Sequence, residues 1–523
     1  MQRARPVTLE TLWGETMLPF LTAENENAKK YIINFQGLNL GEGYADGEFS
    51  DCKNLSSVLS PCISQRFGRA VEAEFSAPVA LHAKEGLFII DGTNAVYDGK
   101  IVGQVNGLRK QMATIGNYII IFPDKAYFNV VTGEFGSMEE SFGTAANAAV
   151  FTDSTITVSG ANFAFHNGDA ITISGCTKYP ENNKTIICRG VEGDTLRFYE
   201  NSFTAGTEEA QVQLKREVPD LDYICESNYR LWGTKGNTIY GSKYGDPFNF
   251  NVFDGLTGDS YYIDVGSDGE FTGCISYSSH ICFFKENVLH KLYGSKPSNF
   301  QLVTSQVYGV QAGCERSMRI INETLLYKGV GGVYAYTGGV PELVSAKFGT
   351  ARFSNACAES DGERYYISMR RGEDWGLYVY DVSRNIWLKE DNLRCADMAF
   401  HDGHVYLLCT DGCLCRIDSE VDKADMEWSA TFCPFTETIN ERKGYSKFHL
   451  RMELAAGSWL TVEMKRDNEQ RWQKVYTTHN SRARTISVPV MPARCDSVEI
   501  RISGKGECII RSFVREFFTG SDV

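Results

Sequence analysis

Apolar positions along this chain come in short runs bounded by Gly, Asp and Asn, the pattern of short antiparallel strands joined by tight turns. Few windows hold a helical period, and the best, from Glu10 to about Lys30, is interrupted by Pro19. One unit recurs. An aromatic or β-branched strand is followed by a polar Gly turn and then by a strand that usually contains Tyr. It appears as GLFIIDGTNAVYDGK from Gly86, NYIIIFPDKAYFNV from Asn117 and YRLWGTKGNTIYGSK from Tyr229. It returns as HICFFKENVLHKLYG from His280, TLLYKGVGGVYAYTGG from Thr324, YYISMRRGEDWGLYVYDVSRNIW from Tyr365 and HVYLLCTDGCLCRID from His404. The copies lie about 30–50 residues apart except across one long gap, a period that predicts roughly six to eight blades of a β-propeller. A lone hairpin cannot bury both of its faces, whereas blades in a ring bury each other's.

The gap between Val130 and Tyr229 holds alternating strands of its own, such as STITVSGANFAFHNGDAITISGC. Ile171 and Ile173 alternate with Thr172 and Ser174, giving one dry and one wet face. These features predict a small β-barrel inserted at a blade junction. After Asp418 the unit stops. An acidic stretch, SEVDKADME, leads into longer strands, among them SVEIRIS, that predict a β-sandwich. The expected fold class is therefore all-β: a propeller core, an inserted small β-barrel and a C-terminal β-sandwich. The expected division is an N-terminal arm at 1–34, propeller at 35–140 and 220–425, the inserted domain at 141–219 and the sandwich at 426–523.

Composition narrows the class. At 523 residues the chain exceeds one ordinary core. With 43% hydrophobic and 23% charged residues it is neither a disordered chain nor a membrane protein, and it has no apolar run of about 18 residues. The first residues, MQRARPVTLETLWGETMLPF, lack the uninterrupted apolar stretch and cleavage site of a secretory signal. A net charge of −14 argues against gripping nucleic acid through a basic surface, but suits a wall past which phosphate slides. The 16 Cys sit mostly in strand-like runs, Cys188, Cys282 and Cys409 among them, and read as small buried hydrophobes in a reducing cytoplasm.

Candidate chemistry is sparse. No metalloprotease, nucleophile-elbow or phosphate-loop motif is present. His401 and His404 share HDGH, read as a hairpin entry rather than a metal pair. Cys413 and Cys415, beside Cys409, read as strand neighbours filling a blade core. Asp-Gly pairs recur at Asp91, Asp98, Asp361, Asp402 and Asp411; paired carboxylates are the tools of glycosidases, but these fall where the unit places its turns. The run GVGGVYAYTGG from Gly329 is flanked by strands and reads as a hairpin.

Two stretches go beyond generic β patterning. The first, FQGLNLGEGYADGEFSDCKNLSSVLSPCISQRFGR, runs from Phe35 to Arg69. The second, GDPFNFNVFDGLTGDSYYIDVGSDGEFTGC, runs from Gly245 to Cys274 and leads into FFKENVLHKLYG, GVQAGCERSM and LLYKGVGGVYAYTG. Their order resembles the nozzle and hub proteins of short-tailed bacteriophages, the DNA-stabilisation or tail tubular family. The resemblance implies a virion tail protein, assembled in the host cytoplasm, that forms a homohexameric ring below the portal and its adaptor. Such a ring retains packaged DNA without specific binding, forms part of the ejection conduit and can hold tail fibres or spikes. The implied role is mechanical: no enzyme, no catalytic, cofactor-binding or metal site, no cofactor and no membrane. The residues of the subunit interface stay unknown. Apolar Leu12, Trp13, Leu18, Phe20 and Leu21 could pack on a neighbouring subunit or close the chain's own propeller.

Two alternatives stay open. One is a carbohydrate-binding or glycoside-cleaving propeller of a host-recognition apparatus, which predicts a central pocket with aromatics and two opposed carboxylates. The other is a distal hub component of a long-tailed phage, which shares the architecture and differs in its neighbours.

Overall fold

The computed structural model describes residues 28–467, 469–479, 484–491 and 493–519. Seven four-stranded antiparallel sheets form the blades of one propeller. Their innermost strands are Pro78–Lys84, Gln111–Ile115, Tyr223–Ser227, Phe271–Tyr277, Arg319–Ile321, Ser354–Ser360 and Cys395–His401. Each of the seven recurring sequence units supplies the middle of one blade. Asp402 and Gly403, with φ of 46° and 78°, make the tight turn that joins the two inner strands of blade seven.

The ring closes through packing and through a borrowed strand. Apolar clusters join neighbouring blades, such as Phe88 with Phe128 between blades one and two and Trp232 with Phe283 between three and four. Leu81 and Ile89 of blade one pack with Leu408 and Leu414 of blade seven, so the last blade meets the first. The outer strand of blade seven is Gly68–Glu74, which precedes blade one in the chain and pairs with Cys413–Asp418. The two ends of the propeller sequence are thereby hydrogen-bonded in one sheet.

Between blades two and three lie a four-stranded and a five-stranded sheet around their own core, including Phe151, Ile156, Ile171, Ile173, Leu196 and Leu214. Ile171 and Ile173 are buried while Ser174 is exposed, as the alternation requires. Glu140 and Arg216 are paired at the base of this insertion.

The sandwich differs from the expected division at its start. Ala28–Ile32 pairs with Cys508–Thr519, and Ile63–Gln65 pairs with that same long strand. Gly37–Leu38 and Glu48–Lys53 belong to the other sheet, beside Glu427–Phe432. Residues 28–65 are thus part of the sandwich, not an arm and the start of a propeller. The cause is the length of Cys508–Thr519: one edge pairs with Lys443–Leu454, and the other needs partners that the short early strands provide. The helix considered from Glu10 to Lys30 and the residues Leu12, Trp13, Leu18, Phe20 and Leu21 lie outside the described residues, apart from Ala28 to Lys30, which begin a strand.

Both distinctive sequence stretches fold into joints. In the first, Gly37 takes φ of +80° with its Cα against the Trp387 carbonyl of blade six, where a Cβ would have no room. The Asn54 amide N–H donates to Glu390 O at 2.6 Å, and its side-chain amide donates to Glu427 O at 2.7 Å. Arg69 binds Glu390 and Asp391, both at 2.6 Å, with Arg66 beside it. In the second, Asn249 accepts from Ala170 N at 2.9 Å and donates to Asp169 Oδ1 at 3.0 Å. Asp169 in turn binds the buried Arg216 at 2.8 Å. Arg230 holds the rest of this loop by donating to the carbonyls of Ser242, Thr257 and Asp259.

Candidate functional site

The innermost strands surround an axial cavity of about 520 Å³. A polar group, not an apolar plug, crosses one end of it. Arg316 sits on a single helical turn, Glu315–Ser317, that enters blade five. Its Nη1 donates to Val79 O at 3.1 Å and Ala396 O at 2.8 Å, and its Nη2 donates to Lys110 O at 2.8 Å. One guanidinium thus ties blades seven and one to the entry of blade two. Asp397 stands 3.4 Å from it and accepts the Leu81 N–H at 3.0 Å, a second tie between blades seven and one. Glu359 is paired with Arg319 at 2.9 Å. His82 shares a 2.7 Å hydrogen bond with Thr114, joining blades one and two. Burial pushes the His82 pKa down to about 4, so the ring is neutral at pH 7. Among the described residues, Phe400 is the one Phe, Tyr or Trp lining this cavity. Of the four carboxylates that line the cavity, Glu315, Glu359 and Asp397 are engaged by arginines, while Glu226 accepts the Tyr229 N–H at 2.8 Å.

Two hollows lie on the face where the innermost strands begin, on either side of a ridge made by Gly313 and the Arg109–Glu315 pair. Arg109 Nη2 binds Glu315 at 2.6 Å and donates to Gly313 O at 3.3 Å. Gln111 also donates to Glu315, at 3.0 Å. The other carboxylate oxygen of this buried residue has no hydrogen-bond partner among the described residues. The first hollow, about 350 Å³, is lined by Arg109, Arg316, Arg394, Trp375, Asn355 and Thr410 among others. The exposed Arg394 guanidinium lies 4.7 Å from the Trp375 ring centre. The second hollow, about 420 Å³, carries Asp222, Glu270 and Glu315 together with Phe271 and Tyr223. Burial raises the Tyr223 pKa to about 12, and Glu315 adds to this, so its hydroxyl keeps its proton.

The residues singled out in the sequence are scattered through other parts of the fold. Asp91, Asp98, Asp361, Asp402 and Asp411 occupy turns at five separate strand junctions and form no paired-carboxylate site. Asp361, for example, accepts the backbone N–H groups of Glu363 and Arg364. His401 and His404 face each other across a hairpin, with His404 near Ile417 O and Arg416. Gly329 pairs with Gly332 within a hairpin. Cys409 is buried and hydrogen-bonds with Cys395 and Cys415, while Cys413 and Cys415 are partly exposed at the edge of the same blade core. Cys188 and Cys282 are buried. Among the described residues no group of three or more His, Cys, Asp or Glu is placed to hold a metal ion, and no helix is long and apolar enough to cross a membrane.

Sequence reasoning missed Arg109, Arg316, Arg394 and Trp375. The three arginines share one signal: each stands in the segment that enters an innermost strand, in NGLRK, CERSM and NLRC. That signal becomes visible only after the register of each blade is known.

No protein-family model matches the chain, and no curated protein matches it. Several solved structures are similar to the chain at low identity. An exo-β-1,3-galactanase from Phanerochaete chrysosporium, solved with galactose, is 8% identical, with 56% of this chain and 94% of that chain covered at a TM-score of 0.22. Hsv2 from Kluyveromyces lactis is 10% identical over 60% of this chain and 98% of that chain, with a TM-score of 0.27. The endosialidase of phage phi92 is 10% identical over 72% of this chain and 70% of that chain, with a TM-score of 0.25. The expectation that this chain is not an enzyme is corrected here. Two of these similar structures bear the names of glycoside-cleaving enzymes. Likeness at this level transfers no residue and assigns no activity.

Proposed function

We propose that this chain is a structural component of a bacteriophage tail: a propeller disc, held in fixed relation to two further β modules, that joins copies of itself around an axis. The observation that carries this reading is where the two distinctive sequence stretches fold. Both are used at joints between modules, the first around Arg69, Asn54 and Gly37, the second around Asn249, Asp169 and Arg216. Buried charge costs desolvation, and a polar network of this kind favours one relative orientation over others. Fixed orientation is what a part of a symmetric assembly needs. In this reading the partners are further copies in a hexamer, the portal adaptor, and tail fibres or spikes. Packaged DNA passes a predominantly acidic protein without specific contact. The test is electron microscopy of purified virions labelled at the carboxy terminus. Six labels around the tail axis are expected; particles without label at the tail overturn the reading.

A second reading, a saccharide-binding propeller in the tail's host-recognition apparatus, is favoured by the two hollows beside Arg109. Guanidinium, carboxylate, amide and aromatic groups converge there, the mix that fixes a small polar ligand. Binding of the whole protein to a panel of neutral and acidic oligosaccharides tests it: saturable binding lost in Trp375→Ala supports it, and no binding to any member removes it.

A further inference from the structure

Resting on the saccharide reading, we propose that the hollow holding Arg394 and Trp375 is a subsite for the carboxylate of an acidic sugar, and that the hollow across Arg109 takes the neutral neighbouring unit of the same saccharide.

Three observations converge on this. The first hollow contains three arginines and no carboxylate among its lining residues, in a chain whose net charge is −14. Two of the three are already ion-paired, Arg109 with Glu315 and Arg316 with Asp397, so the uncompensated positive charge at this hollow is that of Arg394. The arginines are not equivalent. Arg316 already has three carbonyl partners and serves as the floor. Arg109 uses Nη2 for Glu315 and Gly313, and its Nη1 and Nε make no hydrogen bond among the described residues. Arg394 has no ion-pair partner among the described residues and is held in place by the Trp375 ring. Two guanidiniums with unused N–H groups, one pre-oriented by stacking, are the donors that a carboxylate or phosphate recruits.

The neutral groups favour a sugar. Asn355 and Thr410 bring amide and hydroxyl groups to the same wall, and these pair with hydroxyls in either direction. Trp375 is only partly buried and supplies an apolar edge for ring C–H groups. The volume of about 350 Å³ lies at the small end of the ligand-pocket range, suited to about one sugar ring.

The second hollow decides against a continuous polyanion. It begins directly across Arg109 and carries Asp222, Glu270 and Glu315. A nucleic-acid strand leaving the arginines with a phosphate at every residue would meet this carboxylate wall. A neutral sugar would instead donate its hydroxyls to it. Alternating cationic and anionic hollows therefore match a saccharide whose charge is confined to one unit.

The test is calorimetric titration of the full-length protein with an acidic trimer (one terminal glucuronic acid followed by two neutral hexoses), neutral galactotriose and a thymidine oligonucleotide. The variants are Arg394→Ala, Arg394→Lys and Trp375→Ala, with folding checked by circular dichroism. Arg394 is exposed, so its removal leaves no buried partner unpaired. We expect an acidic trimer to bind at least tenfold tighter than the neutral one, with weakening in salt. Arg394→Ala should lose at least tenfold for the acidic ligand and little for the neutral one, with Arg394→Lys in between. Equal binding of acidic and neutral trimers, unaffected by Arg394→Ala, overturns the carboxylate subsite and leaves the saccharide reading standing. No binding to any trimer overturns both. Arg394-dependent binding of the oligonucleotide in preference to the trimers assigns the arginines to nucleic acid and also overturns the proposal.

Discussion

Single residues carry the joints of this molecule, and Arg69 is the clearest case. Burial alone would lower its basicity, but Glu390 and Asp391 at 2.6 Å more than offset this and hold the guanidinium firmly charged. Arg69→Ala leaves two largely buried carboxylates with Arg66 as their one remaining cation among the described residues, and the expected loss is about 3–5 kcal/mol, read as a lowered urea midpoint. Arg69→Met should lose a similar amount, because the carboxylates rather than the vacated volume set the penalty. Histidines set a pH response. Burial pushes His290 of blade four, like His82, from an ordinary 6.5 to about 4. The unfolded chain takes up these protons as pH falls through 6.5 while the folded chain does not, so stability declines from about pH 6.5 towards 4 and is insensitive to these groups above that window. The slope is at most about 1.4 kcal/mol per pH unit for each histidine. Thermal melts between pH 7.5 and 5 should show a decline that is smaller in His82→Gln/His290→Gln; an unchanged decline would assign it to other groups. Little of this was legible from sequence. Arg69 could be read as the end of a distinctive motif, but its partners are more than 300 residues away, and only folding brings the first motif against blade six.

Elements were more legible than residues, because period and turn chemistry act locally. The seven hairpins became the seven blades, since each carries its own alternating faces and a short turn, in most of them with a positive φ, as at Gly92, Lys125, Gly236, Gly372 and Gly412. The inserted strands showed themselves in the same way. What escaped was strand exchange over distance. Gly68–Glu74, with small and charged residues interspersed and mostly part-exposed, shows no clean apolar alternation, and its place as a blade strand is set by its pairing to Cys413–Asp418. Gly37–Leu38 and Leu55–Ser56 are too short to show any period. The inserted domain makes an element-scale prediction. Glu140 and Arg216 pair at its base, so the flanking chain ends are already adjacent. Replacing 142–214 by a short Gly-Ser link should leave a folded propeller, because the insertion's core is separate from the blade clusters. The variant should nevertheless melt a few degrees lower, since Asn249 loses Asp169 and Ala170 and Lys243 loses the Gly168 carbonyl. An unfolded product would mean that the insertion is needed to form blades two and three.

At the scale of the whole molecule, the modules drawn from sequence are not equally independent. The inserted domain has a core of its own. The sandwich does not: one continuous apolar cluster runs from Phe284 of blade four and Tyr327 of blade five through Trp387 of blade six to Phe49, Phe432 and Phe513 of the sandwich. Hydrogen bonds follow the same path, from Trp387 to Val344 O and from Ser57 to Asp381. Cutting the chain after residue 425 would remove four of the seven strands of one sandwich sheet and four of the six of the other, and expose the Phe49 and Trp387 faces together. Truncation there is therefore expected to abolish soluble expression or leave blades five and six open to protease, although the propeller strands themselves all remain. The intact chain should unfold calorimetrically in two transitions, a smaller one for the insertion and a larger one for propeller and sandwich as a single unit. Arg69→Ala should lower the larger transition and leave the smaller in place, because the joint it breaks lies within the larger unit. Three separate transitions, with the sandwich melting alone, would show that the shared cluster does not couple the two modules. In that case the rigid orientation from which an architectural role is argued would lose its physical basis.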